Sequence, residues 1–411
     1  MEYVPRKKWQ VKGTGRTDPA PGLFVPKLGG NSSQHSPRSI YDRNYDKHRI
    51  QSGKIVYGNK ATSMWFAVGL KTDYKIPSSI SLKPVSSPLI EWRGPEEHFI
   101  LVNSEVKKRT DKHEEPLLKS PWVCIAENVL EEIQSSFHKL KNEVGCPNLD
   151  EQHLALVARF GKLVFHRYPS ANFRNNSVSE TSLRKLKRSF CTNIPPSYAE
   201  NLIGAVQELG LEVDATEEME SYRVKMLLSH ANVGWPQMVK DLIFIRKIEL
   251  NHLRHLVVDV SCFGKNLDVR LMLRTKRIVN VLSDDEKQSI SHLISSAVLD
   301  PNMKGGLRWP SGMACSEGRY KVIRVWHNKC TGYRNSSLRL RMRDVDRFDY
   351  QTSTGEFAKE VVLNLTEIVS KLQDPNAEGN EIPKLLKDNM KVIWEHFLHC
   401  DEFFSCDPTL S

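Results

Sequence analysis

The sequence has no Cys-x-x-Cys pair, no run of 18 apolar residues and no Gly-Lys-Ser/Thr triplet. Each absence excludes a class. Without paired cysteines, zinc ribbons and thioredoxin-type redox motifs fall away, because both need two thiolates within a turn of each other. Without a long apolar run no membrane-spanning helix is expected, since the hydrocarbon core takes about 20 such residues to cross. Without the triplet, "KGGLRWPSG" is not a phosphate-cradling P-loop, although it has the glycines. No apolar segment follows the first residues, so no secretory leader is expected. The eight scattered cysteines (Cys124, Cys146, Cys191, Cys262, Cys315, Cys330, Cys400 and Cys406) then read as reduced thiols of an intracellular protein, nuclear, cytoplasmic or organellar. On that reading the Asn335-Ser336-Ser337 sequon has no glycosylation role. Aromatic residues are sparse at 8% and hydrophobic residues make up 39% of the 411. That is lean, yet enough for a sizeable core once a polar tail is set aside.

Positive charge is abundant. The formal net charge is +10, and ten Lys/Arg against four Asp/Glu place +6 of it in residues 1–50. A balance of this kind favours encounter with polyanions such as RNA. Residues 1–52 carry five prolines, repeated glycines and a serine-rich stretch without any period of 2 or 3.6. They bury too little apolar area to offset the entropy of ordering, so a disordered basic arm is expected.

Order begins near Ser52. "GKIVYGNKATSMWFAVGL" reads as two short strands around a turn at Gly58-Asn59, and "HFILVNSEV" as another strand. Ser120 and Pro121 open a helix whose Trp122, Ile125, Val129, Ile133, Phe137 and Leu140 recur every three or four residues. "LALVARFGKLVFHRY" is a strand with Gly161 inside it. Capping boxes at Ser177/Glu180, Ser197/Glu200 and Ser283/Glu286 predict three further helices. The first of these places Leu183, Leu186 and Phe190 inward, with Arg184, Lys185, Lys187 and Arg188 outward. "LRHLVVDVSCFGKNLDVRLMLRTKR" is a hairpin turning at Phe263–Asn266, a register that pairs Val260 with Val269, Val258 with Leu271 and Asp259 with Arg270. Two or three strands follow from Tyr320 to Leu365, and a last helix from about Pro383 to Cys400. Strands come in hairpins rather than crossovers. The fold class is therefore α+β: antiparallel sheet with helices packed on one face, behind the arm. Two halves, 53–205 and 206–411, are expected, either separate or as one compact unit.

The strongest local pattern is "SSLRLRMR". Leu338, Leu340 and Met342 alternate with Arg339, Arg341 and Arg343. One face is core and the other a row of guanidinium groups about 6.6–7 Å apart, comparable to successive phosphates of a nucleic-acid strand. Arg270, Arg274 and Lys276 do the same less regularly. The two strands together would make a basic sheet face for RNA; the plainer alternative is a solvated face with arginines paired to carboxylates, Asp259 with Arg270 for one. Arg184, Lys185 and Arg188 form a second basic patch, and Arg308 with Trp309 a loop on which a base could stack.

Catalytic patterns are thin. His255 and Asp259 are four apart on one strand and could move a proton or grip a phosphate, the basis for a hydrolase or transferase reading. No nucleophile accompanies them. His396, His399, Cys400 and Cys406 are split between a helix and a tail, so no metal and no cofactor are expected. The leading reading is a non-enzymatic RNA-associated protein. The alternative is an adaptor or structural subunit of a larger complex, whose arm is a ligand for a protein partner through Tyr3, Pro5, Arg6, Lys7 and Trp9.

That arm segment, "YVPRKKW", resembles the Tyr-Val/Ile-Pro-Pro-His-basic segment near the start of some DEAD-box RNA helicases, with Arg6-Lys7 where Pro-His would stand. The resemblance implies a partner among translation factors. More broadly, "SGKIVYGNKATSMWFAVGL", "ARFGKLVFH", "LRKLKRSFCTNIPPSY", "DVSCFGKNLDVRLML" and "AVLDPNMKGGLRWPSG" resemble a land-plant family with a similar basic Tyr-Val-Pro segment at its start. This likeness covers nearly the whole chain. It implies a plant source and an intracellular protein, and carries no activity with it.

Overall fold

A computed structural model describes residues 56–69, 80–85, 97–103, 119–144, 152–167, 186–226, 230–236, 247–250, 253–279, 298–299, 307–308, 315–316, 320–349, 354–377 and 380–400, with isolated positions at 183, 284–285 and 288. For 56–60, 103, 143–144, 152, 167, 215–250, 276–279, 298–299, 307–308, 315–316, 320–327 and 346–356 it is the backbone that is described. The arm, with Tyr3, Pro5, Arg6, Lys7 and Trp9, lies outside these residues, as do Arg184, Lys185 and Trp309 and most of the helices expected from Ser177 and Ser283.

The chain runs β1 (Val56–Val68), β2 (Ile80–Pro84), β3 (Glu97–Asn103), α1 (Pro121–Val144), β4 (Gln152–Arg167), β5 (Lys187–Cys191) and α2 (Pro196–Glu208). It continues with β6 (Glu212–Met226), β7 (His230–Pro236), β8 (Lys247–Leu250), β9 (Leu253–Cys262) and β10 (Asp268–Val279). Three two-residue strands follow, β11 (Val298–Leu299), β12 (Leu307–Arg308) and β13 (Cys315–Ser316). The last elements are β14 (Tyr320–Arg334), β15 (Leu338–Asp349), β16 (Thr354–Leu365), α3 (Thr366–Gln373) and α4 (Glu381–Val392), which runs into a π-helical turn, Ile393–Phe397. No described helix is long and apolar enough to cross a membrane.

Fourteen strands form one sheet in the order β1-β9-β10-β8-β7-β6-β14-β15-β16-β4-β3-β2, with β13 on β14 and β5 on β4. The sheet is open at its two ends, β1 and β2. Its middle is not, because β10 and β4 also pair, Asp268 opposite Gly161 through Arg277 opposite Gln152. Eight strands therefore return on themselves: β10, β8, β7, β6, β14, β15, β16 and β4. Every pairing in this circuit is antiparallel. β1 on β9 is a parallel pair, and β1 runs on through Gly58-Asn59, where a turn is expected from the sequence; a register shift between Tyr57 and Thr62 stands there instead. The class is α+β with a mostly antiparallel sheet. One strand of the circuit, β4, comes from the first half of the chain and seven from the second.

Local sequence explains most elements. α1 starts at Pro121, where a missing N–H costs nothing, and the Ser120 carbonyl accepts from Val123 and Cys124. Its buried stripe is Ile125, Val129, Ile133, Phe137 and Leu140. α2 starts at Pro196 after Pro195, and no side-chain cap forms there, so Ser197/Glu200 does not act as a capping box. The β9–β10 hairpin has the expected register, Val260 to Val269, Val258 to Leu271 and Asp259 to Arg270. Its turn closes with Lys265 N–H donating to the Cys262 carbonyl, and Gly264 supplies the positive φ of 87° that the turn needs.

Residues 187–191 correct an expectation. The spacing of Leu183, Leu186 and Phe190 predicts a helix, yet Lys187–Cys191 is strand β5, paired to β4 with Phe190 opposite Leu163. The open edge of β4 offers more backbone bonds than a short helix could, and tertiary pairing overrides the local period. Likewise "GGLRWPSG" is not wholly loop, since Leu307 and Arg308 form β12.

β5 comes close to β4 because residue 161 is glycine. A Cβ there would lie 1.9 Å from the Cys191 carbonyl oxygen and 3.1 Å from Phe190 Cε1. The obstacle is backbone, which cannot swing aside. Gly161→Ala is expected to cost about 3 kcal/mol, at the upper end for overpacking, seen as a lowered urea midpoint with an unchanged slope.

Candidate anion-binding lumen

The two faces of the strand circuit are chemically opposite. Leu156, Ala158 and Phe160 of β4, Val269, Leu271 and Leu273 of β10, Leu338 and Leu340 of β15, and Val361, Leu363 and Leu365 of β16 share one core with side chains of all four helices. α1 alone has 24 residues, about 36 Å, too long for the interior of an eight-stranded circuit. The helices are therefore outside. Side chains alternate along a strand, so the intervening residues face in. These are Arg159 of β4, Arg270, Met272 and Arg274 of β10, Glu360, Val362 and Asn364 of β16, and Arg339, Arg341 and Arg343 of β15. Within the circuit, Arg159 is opposite Arg270 and Val362, and Arg341 is opposite Val362.

The arginine rows of β10 and β15 were expected to lie side by side. They do not, because β4 and β16 stand between them. They meet instead across the enclosed space. The electrostatics of Arg274 record this convergence. Its pKa is pushed down from 12.5 to about 9, first by burial, then by the charges of Arg159, Arg343, Arg254 and Arg341. Arg274 keeps part of its surface exposed. It remains charged at neutral pH. Five guanidinium groups from β4, β9, β10 and β15 thus share one interior.

Carboxylates temper some of this charge. Arg270 is clamped by Asp259, with Nε and Nη2 donating at 2.6 and 2.8 Å, and its guanidinium lies 4.8 Å from the centroid of the Phe190 ring. The expected Asp259–Arg270 pair is thus present, on a buried rather than a solvated face. Arg339 and Arg334 share Asp214, at 2.5 and 3.1 Å. Glu360 is buried beside Arg159, 3.9 Å from Nη1, and accepts from the Thr192 hydroxyl. Among the described residues no carboxylate forms an ion pair with Arg274 or Arg343.

The remaining candidate positions are scattered. Arg188 lies on β5 with its guanidinium 5.5 Å from the Trp65 ring centroid, away from the five arginines. Arg308 is on β12, which pairs with β11 outside the main sheet. His255 and Asp259 are each engaged elsewhere, His255 Nε2 with the Thr275 hydroxyl at 2.8 Å and Asp259 with Arg270. The structure does not bring them together as an acid–base pair. Among the described residues no cluster of three or more His, Cys, Asp or Glu side chains forms that could hold a metal. Sequence reasoning missed Arg159 and Arg254. The signal for Arg159 was present: it is the one charge inside the apolar run "LALVARFG", where an outward-facing strand would carry several.

Residues 49–397 match the sequence profile of the domain of unknown function DUF7903. The chain belongs to the DUF7903 family. The arginine-lined circuit lies within the matched segment. No curated protein matches this DUF7903 member in sequence. Among solved structures it is similar to the Pct1 RNA triphosphatase of S. pombe, with 10% identity and a TM-score of 0.41 over 70% of this chain and 96% of the other. The same enzyme in complex with the Spt5 CTD gives 13% identity and a TM-score of 0.40, over 70% and 95%. The PH1012 protein of Pyrococcus horikoshii follows with 10% identity and a TM-score of 0.24, over 52% and 93%. At such scores these likenesses assign no chemistry to the DUF7903 lumen.

Proposed function

We propose that this protein binds a single-stranded polyanion, RNA in the first instance, by taking its phosphates into the interior of the strand circuit. The observation that supports this reading is the placement of Arg159, Arg254, Arg274, Arg341 and Arg343 on one face of the paired strands β9, β10, β4, β16 and β15, with Arg254 opposite Arg274 and Val362 between Arg159 and Arg341. Arg274 and Arg343 have no carboxylate ion pair among the described residues, and an anion bridging them offsets the cost of burying like charges together. Guanidinium groups suit phosphate because each offers a planar fork of donors to two oxygens. Width sets the other constraint. An eight-stranded barrel holds side chains or one small ligand, so a duplex about 20 Å across is excluded while a phosphate chain fits. The basic arm adds long-range capture without contributing selectivity.

Filter binding tests this with one single-stranded RNA and its duplex at 50 and 200 mM salt. The single strand is expected to bind at micromolar Kd or tighter and to lose about tenfold or more across that range, as release of several counterions requires. The duplex is expected to bind through the arm alone, at least tenfold more weakly. Equal affinity for both, or no salt dependence, rules the reading out.

A further inference from the structure

The inward face of β4 changes character along its length. Arg159 is followed on that face by Gly161, Leu163 and Phe165. Leu163 and Phe165 belong to a second core, separate from the one under the helices, with Trp65, Ile80, Phe99, Leu101, Leu183 and Phe263; Phe190 packs against it. Trp65 meets Phe165 edge to face at 5.8 Å and donates its indole N–H to Ser261. Arg270 sits at the boundary between the two zones, stacked on Phe190 and held by Asp259. Beyond β5, the wall at this end is stitched shut. Lys359 N–H donates to the Asn193 side-chain oxygen, Ile194 N–H donates to the Lys359 carbonyl, and Thr192 donates to Glu360. Residues 192–194 thereby join β16 to the β4–β5 pair where the direct β4–β16 pairing, three residues long, has ended.

We infer that the lumen is blind at this end, floored by Leu163, Phe165, Trp65 and Phe190, and that it takes the terminal phosphate group of an anionic chain end-on rather than an internal stretch of backbone. This rests on the anion-binding reading above and sharpens it. A chain threading through would have to leave past a packed aromatic floor, at the energetic cost of pressing phosphate against hydrocarbon. A chain end has no such requirement. A terminal phosphomonoester or oligophosphate also carries more negative charge, and more free oxygens, than a backbone diester, which suits several forked donors meeting at one place.

The experiment uses the full chain and one RNA sequence in four forms: a 5′-phosphate, a 3′-phosphate, hydroxyls at both ends, and a covalently closed circle. Inorganic tripolyphosphate serves as a competitor without nucleoside. Phosphate at one end is expected to tighten binding at least tenfold over the hydroxyl form, the circle to bind no better than the hydroxyl form, and tripolyphosphate to displace the phosphorylated strand. The two phosphorylated arms tell which polarity enters. Displacement by tripolyphosphate with no gain from either RNA end supports an end-on site whose ligand is a free oligophosphate. A circle that binds as tightly as the best linear form overturns the blind lumen and leaves the anion-binding reading standing. Failure of every RNA and of tripolyphosphate to bind overturns both.

Discussion

Replacing Arg274 and Arg343 together by glutamine is expected to weaken binding of single-stranded RNA by about 100-fold or more while leaving the protein as stable as before, or more so. The two effects have one cause. A hydrogen bond to a charged group contributes about 1.5–3 kcal/mol, and 1.4 kcal/mol is a factor of ten, so two lost phosphate contacts give at least two decades. Arg274, moreover, does nothing for folding. Arg274 has its pKa lowered by burial and by neighbouring guanidinium groups. A base whose folded pKa lies below its unfolded value has its charged form disfavoured by the fold, so at neutral pH the charge costs stability, and glutamine removes that cost. Arg339→Gln is the internal control. That arginine is part-exposed and shares Asp214 with Arg334, so its loss is expected to change affinity less than fivefold. Calorimetric melting beside RNA titration separates these outcomes. A double variant that melts early, or that binds like the parent, would place the arginines in a structural role.

This trade of stability for an anion site also shows what the sequence could and could not say. The period-2 alternation of Leu338–Arg343 identified a strand with one apolar and one cationic face, and the β9–β10 hairpin register was legible down to Asp259 opposite Arg270. Both are local signals, set within a dozen residues. Closure of the circuit is not local. Asp268 meets Gly161, and Leu363 meets Ala158, across more than a hundred residues of chain. An arginine row reads identically whether its face looks out to bulk solvent or into a closed space, because alternation reports two faces and never which of them is enclosed. The helices decided it: all four share the leucine face, and α1 is too long to be inside. Arg159 was overlooked for the same reason, as a single charge in an apolar run acquires meaning only when its partners arrive from β10 and β15. β5 was misread because Leu183, Leu186 and Phe190 fit a helical period, while the edge it pairs with is supplied by β4.

Asp259→Ala is expected to cost about 3–5 kcal/mol of folding stability, the largest single loss foreseen for a change in this site. Asp259 is 7% exposed and receives two guanidinium bonds from Arg270, at 2.6 and 2.8 Å. Removing the carboxylate leaves Arg270 charged over the Phe190 ring, with Arg159 of β4 directly opposite it across the strand pair. Stranding one member of a buried pair costs more than the pair itself contributes. The double variant Asp259→Leu with Arg270→Met therefore should recover most of the lost stability, since it removes both charges and keeps the volume apolar against Phe190 and Trp65. Urea midpoints for the parent, the single and the double variant test this directly. The comparison also decides between two roles for Asp259. If it served as a general base, the double variant would be as impaired in function as the single one, however well folded. If it only holds Arg270 at the floor of the lumen, the double variant keeps RNA affinity within about tenfold of the parent, because the five convergent arginines are untouched.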